Sequence, residues 1–357
     1  MYMGTTTAVR GVHLVGSIKL PDAETALRSA AEILGGRLKR IPDGEPGERF
    51  HWIGFQPGRL AATPGLERVG EQPVLVGGLD VRAVRITPGT DAATLQLAPL
   101  GYAQAAIESY ATFVKLRAVG VIASGTRFQV SLPTPVAVIG SFVAPEDRAT
   151  FEPIYAAKLF AELDEILTAI PHADLAIQWD VAVEFALIED AGYRVPMTAW
   201  WSDGWWDDAW SGVIERSIEL LSRVPSDVEA GFHLCYGDVA ETHFVEPTDT
   251  AHLVRFANAV TRVAPRRIDW VHLPVPIERD DAAYFAPLAN LELDEATELY
   301  LGVVHRQDGV DGARRRIDAA ANVVAEFGIG TECGIGRAPD DSVIEILELH
   351  RDLTGTW

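Results

Sequence analysis

Residues 231–237 read Gly-Phe-His-Leu-Cys-Tyr-Gly, an apolar run with two polar side chains, bracketed by glycines. This is the pattern of a short buried strand that ends in a turn, and it predicts a strand over Glu229 to Tyr236. Side chains alternate along a strand, so His233 and Cys235 point to the same side. Helix-like stretches flank the strand, Ile214 to Val224 before it and Thr250 to Val263 after it, and a second apolar run follows at Ile268 to Leu273. A strand, a crossover helix and another strand form the unit of a parallel sheet.

The same unit repeats in both directions. Towards the N-terminus, strands are predicted at Gly11 to Ser17, Leu38 to Ile41, Phe128 to Leu132 and Leu175 to Val181. Towards the C-terminus they are predicted at Leu299 to His305 and Gly328 to Cys333. Helices are predicted at Glu24 to Leu34, Tyr102 to Val119, Pro153 to Ile170, Val310 to Phe327 and Asp340 to Arg351. Eight alternating strands predict an α/β fold, a (β/α)8 TIM barrel. The mixed stretch Phe55 to Gly101, with strand character over Val74 to Ile86, reads as an inserted excursion after the second strand. No linker or short repeat divides the chain, so residues 1–357 are expected to form one domain.

Charge narrows the partners. Lys and Arg number 30 against 51 Asp and Glu, a formal charge of −21, which disfavours nucleic acid and anionic membrane surfaces. No apolar run is long enough to span a bilayer, and Met1 to Arg10 lacks the core of a signal peptide. Two cysteines, Cys235 and Cys333, are too few for a disulfide framework. A reducing cytoplasm is the expected location, with both thiols free for chemistry.

In such a barrel the reactive face is built from the C-terminal ends of the strands. Ser17 ends the first predicted strand, and the second runs into Asp43 and Glu45. Asp180 ends the fourth, with Glu184 just beyond. His233 and Cys235 end the fifth, His272 lies in the sixth, His305 ends the seventh, and Glu332 and Cys333 end the eighth. His-x-Cys alone fits an ordinary buried core. Both cysteines and three of the nine histidines at one rim point instead to zinc, which takes imidazole nitrogen at ~2.0–2.1 Å and thiolate sulfur at ~2.3 Å. A loop from Ala199 to Trp210 carries five tryptophans and reads either as packing against the barrel or as a lid. His13, His51, His243 and His252 are expected to be structural or at the surface.

These motifs, in this order, resemble the C-terminal catalytic barrel of cobalamin-independent methionine synthase, within the uroporphyrinogen decarboxylase/methionine synthase-like superfamily. Val15-Gly16-Ser17 is similar to the family's Ile-Gly-Ser-Phe-Pro segment. Asp43-Gly44-Glu45-Pro46 with Glu48-Arg49 is similar to its Gly-Glu-Pro-Glu-Arg loop. Ser141-Phe142-Val143 resembles its Trp-Ser-Phe-Val, and Ile177-Gln178-Trp179-Asp180 its Ile-Gln-x-Asp. His233-Leu234-Cys235-Tyr236 matches His-Met-Cys-Tyr, His305 falls at its Asp-Ile-His, and Thr331-Glu332-Cys333-Gly334 matches Pro-Asp-Cys-Gly.

The resemblance implies roles at the matching positions. His233, Cys235 and Cys333 would hold zinc. Ser17, Glu45 and Asp180, with Glu184 nearby, would hold the amino-acid part of a homocysteine-like thiol. His305 would protonate the leaving group. The family's remaining ligand, a glutamate on the sixth strand, falls at His272, which becomes a candidate fourth ligand. The family's folate-stacking tryptophan is Gly140 here, and its N-terminal folate-binding half has no counterpart. The expected activity is therefore zinc-dependent methyl or alkyl transfer to a small-molecule thiol. The alkyl donor would be a methyl group on a corrinoid carrier protein, an aryl methyl ether, an epoxide or another small electrophile. A zinc-dependent lyase or hydrolase, or a barrel that binds metal without turnover, are the alternatives.

Overall fold

The computed structural model describes residues 9–189, 205–237, 242–339 and 341–357. Eight strands build the main sheet: β1 (Val9–Val12), β2 (Arg40–Pro42), β3 (Arg127–Pro133), β4 (Leu175–Val181), β5 (Glu229–Leu234), β6 (Trp270–Pro274), β7 (Glu298–Val304) and β8 (Phe327–Thr331). They pair in parallel in the order β1-β8-β7-β6-β5-β4-β3-β2. An isolated parallel bridge from Val12 to Leu38 ties β1 to the approach of β2. The sheet is curled and surrounded by helices, an α/β architecture of the TIM-barrel type. Between β2 and β3 the chain forms two separate antiparallel pairs, Leu66–Arg68 with Val84–Ile86 and Leu75–Val76 with Leu79–Asp80.

Burial explains why the strands are readable in the sequence. All seven residues of β4, Leu-Ala-Ile-Gln-Trp-Asp-Val, are buried, as expected for a parallel strand covered on both faces. Register then aligns the polar side chains. Pro133 pairs with Asp180, Asp180 with His233, His233 with His272, and His272 with Tyr300, so one rung crosses five strands. In a parallel sheet, paired residues send their side chains to the same face.

Two differences from the sequence reading have physical causes. Residues 135–142 form a helix that the sequence did not announce, started by Thr134, whose Oγ1 accepts from Ala137 N at 3.0 Å. All eight of its residues are buried, so it lacks the polar face that gives a helix its period. The first strand stops at Val12. Leu14 to Ser17 run on to the rim, where Ser17 bridges Gly44 and its carbonyl accepts from Ile335 N at 2.8 Å.

Charged groups hold the far end and one flank. At the N-terminal ends of the strands Arg40 is buried, with Glu229 at 2.6 Å, Glu298 at 2.8 Å and the Trp270 ring at 4.1 Å. Glu162 is also buried. It accepts from the N–H groups of Leu100, Gly101, Tyr102 and Ala103, where the helix Tyr102–Ala118 begins. A carboxylate there satisfies orphan amides and faces the positive helix end.

Candidate metal centre and its two clefts

His233 is the next-to-last residue of β5, and Cys235 follows that strand directly. Cys333 lies just past β8. One ligand atom from each of these residues lies within 4.8 Å of the others. The two sulfurs stand 3.7 Å apart and are not bonded as a disulfide. Two sulfurs each ~2.3 Å from a tetrahedral zinc would be ~3.8 Å apart, so the spacing fits. Nδ1 of His233 is 2.8 Å from Nδ1 of His272, and Nε2 of His233 is buried with no hydrogen-bond partner. An unpartnered buried nitrogen beside two thiols fits the donor set of a zinc site. Burial holds His233 well below the usual imidazole range, so its ring is neutral and able to ligate.

His272 lies outside this converging group. It is fully buried in the barrel interior, with its ring 4.9 Å from that of His233 and 5.4 Å from that of His13.

A first cleft opens over the two thiols and His233, with Ser17, Glu45, Trp52, Asp180 and Arg337 on its walls. Burial pushes the Asp180 carboxyl up to about 7, against hydrogen bonds from Gln178 Nε2 at 2.8 Å and Trp52 Nε1 at 3.1 Å. Burial, and then the charge of Asp180, pushes Glu45 up to about 8. Two such groups share protons near neutral pH and suit a cationic guest. Glu45 is set in place by Asp43, which accepts from Glu45 N at 2.9 Å, Ser109 Oγ at 2.7 Å and Arg49 at 2.6 Å. That brace holds Glu45 in the left-handed region, at φ 52°. Gly16 lets the backbone pass close to this carboxylate, since a Cβ there would lie 3.1 Å from Glu45 Oε1 and press on it.

Glu184 does not line this cleft. Its Oε2 accepts from Ala182 N at 3.1 Å, and burial raises it to about 7 against a hydrogen bond from Thr134.

A second cleft lies on the other side of Cys333 and shares Gly237, Cys333 and Gly334 with the first. His305 lines this second cleft. Its Nε2 is 2.8 Å from the carbonyl of Val275. A carbonyl only accepts, so Nε2 carries the proton and Nδ1 is the nitrogen left to exchange one. Burial holds His305 below the usual imidazole range. On the rim, His243 sits between Glu246 at 2.9 Å and Glu332 at 3.0 Å. Burial works against its charge, but the two carboxylates prevail and raise it to about 10.

No protein-family model matches the chain, and no curated protein does. Solved structures do. The chain shares its fold with a methionine-synthase-type structure. That structure, described as a candidate vitamin-B12-independent methionine synthase from Listeria monocytogenes, aligns with a TM-score of 0.54 at 14% identity. The alignment covers 98% of this chain and 100% of that one. A methyltransferase from Methanosarcina mazei aligns with a TM-score of 0.48 at 14% identity, over 98% and 94% of the two chains. At such identities the likeness speaks for the fold alone.

On this methionine-synthase-like fold, Ser17, Glu45, Asp180, His233, Cys235 and Cys333 meet at one cleft, while His305 stands at its neighbour. Sequence reading missed Trp52 and Arg337. Trp52 reaches Asp180 from an irregular turn, at φ 52° and ψ −114°, that no periodic pattern reveals. Of the tryptophan-rich loop, residues 199–204 lie outside the described residues. Trp205 and Trp206 pack on each other at 4.6 Å, and the Arg216 guanidinium lies 4.0 Å from the Trp206 ring. His13 is buried and bonded to Gln178 at 2.7 Å.

Proposed function

We propose that this protein is a zinc-dependent alkyltransferase that moves a methyl or other small alkyl group to a thiol. The observation that carries the reading is the convergence of His233, Cys235 and Cys333 where two clefts meet. Zinc held by these three side chains would lower the pKa of a bound thiol and present it as the nucleophile. In the first cleft, Glu45 and Asp180 would hold the ammonium of an amino-acid thiol, and the backbone beside Ser17 its carboxylate. The second cleft is open to the alkyl donor. The sulfur forms a bond to the alkyl carbon as the bond from that carbon to its leaving group breaks. The thiol proton ends on the leaving group. His305 would hand it over through Nδ1, and because burial keeps its ring neutral it must first take that proton up. Donors of the required class are an aryl methyl ether, an epoxide, a methyl-corrinoid carrier protein or a comparable electrophile.

The test is elemental analysis of the purified protein beside Cys235→Ser and Cys333→Ser, followed by turnover with and without a thiol. About one zinc per chain, lost in both variants, together with an obligatory thiol, is expected. Full zinc in both variants would remove the site. Turnover without any thiol would turn the reading towards zinc-assisted hydrolysis or elimination.

A further inference from the structure

We infer that His272 is a positioning residue: its Nδ1 accepts the hydrogen bond donated by His233 Nδ1–H and so leaves His233 Nε2 bare to face the metal. This rests on the zinc reading above.

Two Nδ1 atoms 2.8 Å apart need one proton between them. Both rings are buried against other rings, and among the described residues neither is hydrogen-bonded to a carboxylate that would hold a charge, so each is a neutral imidazole. Each ring then carries a single N–H, and only two arrangements remain. If His272 were the donor, His233 would carry its proton on Nε2, buried and without an acceptor, beside the thiols. If His233 is the donor, its Nε2 presents a lone pair to the two sulfurs, and the proton of His272 sits on its own Nε2. His272 Nε2 is likewise buried without a partner, so an orphan N–H is present in either case. What separates the two is the neighbourhood of His233, whose free nitrogen stands with two thiols, where a lone pair can accept from an S–H or bind a metal.

The fold leaves the two rings little freedom. His233 and His272 are register partners on β5 and β6. The ring of His13 lies against one side of His272. Behind it sits Gly330, where a Cβ would fall 3.0 Å from His272 Nε2. The sequence suggested His272 as a direct ligand; on this inference it supports His233 from behind instead.

The chemistry of this partner differs from the common one. Metal-bound histidines usually donate their second N–H to a carboxylate or a carbonyl. A neutral imidazole passes less electron density to the ligand than a carboxylate would. With His272 behind it, His233 would leave a bound metal more electrophilic, which would favour ionisation of a thiol at some expense of metal affinity.

The experiment uses the full-length protein labelled with 15N in histidine and stripped of metal by a chelator. Long-range proton–nitrogen spectra report which nitrogen of each ring carries hydrogen. A protonated Nδ1 with bare Nε2 on His233, and the reverse on His272, is expected; the opposite pattern would overturn the inference. In parallel, zinc affinity is measured by competition with a chromophoric chelator. His272→Leu should weaken binding by ~10–100-fold. His272→Gln, whose side-chain oxygen can accept from His233, should recover most of it. Unchanged affinity in His272→Leu, or X-ray absorption showing two imidazoles on the zinc, would also overturn the inference. Absence of zinc from the wild-type protein would defeat the alkyltransferase reading, whereas the ring tautomers of the metal-free protein test His272 on their own.

Discussion

Replacing Glu45 by Gln should stabilise the protein by an amount that grows with pH. The Glu45 carboxyl has an ordinary value of 4.5 and is raised to about 8 in the folded chain by burial and then by Asp180. Between those two values the folded state holds a proton that the unfolded state releases, so wild-type stability falls as pH rises. Each unit corresponds to ~1.4 kcal/mol. From pH 5 to pH 7 the loss is on the order of 2 kcal/mol, and it levels off above pH 8. Glutamine keeps the shape and the left-handed backbone of this position but cannot ionise. Any fixed penalty of the exchange is independent of pH and drops out of the slope. The assay is urea unfolding of both proteins at pH 5, 6, 7 and 8. A stability gap that moves in favour of the variant with rising pH is expected. A gap that stays flat would show that Glu45 ionises without penalty, and the picture of a desolvated acidic pair would fall. A small ammonium ligand that neutralises the pair should flatten the wild-type dependence and leave the variant unchanged.

Three further substitutions probe separate features. His305→Asn should keep its zinc and lose most turnover; since burial lowers the wild-type imidazole, the share of the rate carried by its protonated form should shrink as pH rises, and the variant should lack that dependence. Rate–pH profiles with zinc content as control would show it, and an unaltered profile would remove the acid role. Glu162→Gln should cost ~2 kcal/mol in unfolding free energy, because charge-assisted bonds to the first amides of a helix are weakened. Thermal melts would show no change if solvent can replace the carboxylate. Gly334→Ala would put a Cβ 2.3 Å from Ser17 Oγ and displace the first cleft's wall, with kcat/KM falling by roughly 10–100-fold. Full activity would show that Ser17 need not be held there.

The strands were legible because parallel, doubly buried segments are continuous apolar runs, as in β4. The cysteines and His233 were legible because strand ends map to one rim. The helix Pro135–Phe142 was hidden by its burial on every side. His272 was visible as a residue but not as a partner, since register alone shows that it backs His233. His305 was placed at the correct rim, yet its position across Cys333 depends on how the turn after β7 packs under Val275. Glu184 stands apart from Asp180 for a related reason: its spacing suggests a shared cleft, but the short helix Val183–Ile188 turns its carboxylate back to Ala182 N.

The contact between Cys235 and Cys333 spans 98 positions of sequence. A zinc ion gripped by both thiolates would thus also be a staple across β6, β7 and β8. Closing a loop of that length removes ~4.7 kcal/mol of chain entropy from the unfolded state, by the estimate used for disulfides. The last third of the barrel would then depend on its metal for rigidity as well as for reactivity. Chelation would loosen the wall that the two clefts have in common before it unfolded the rest.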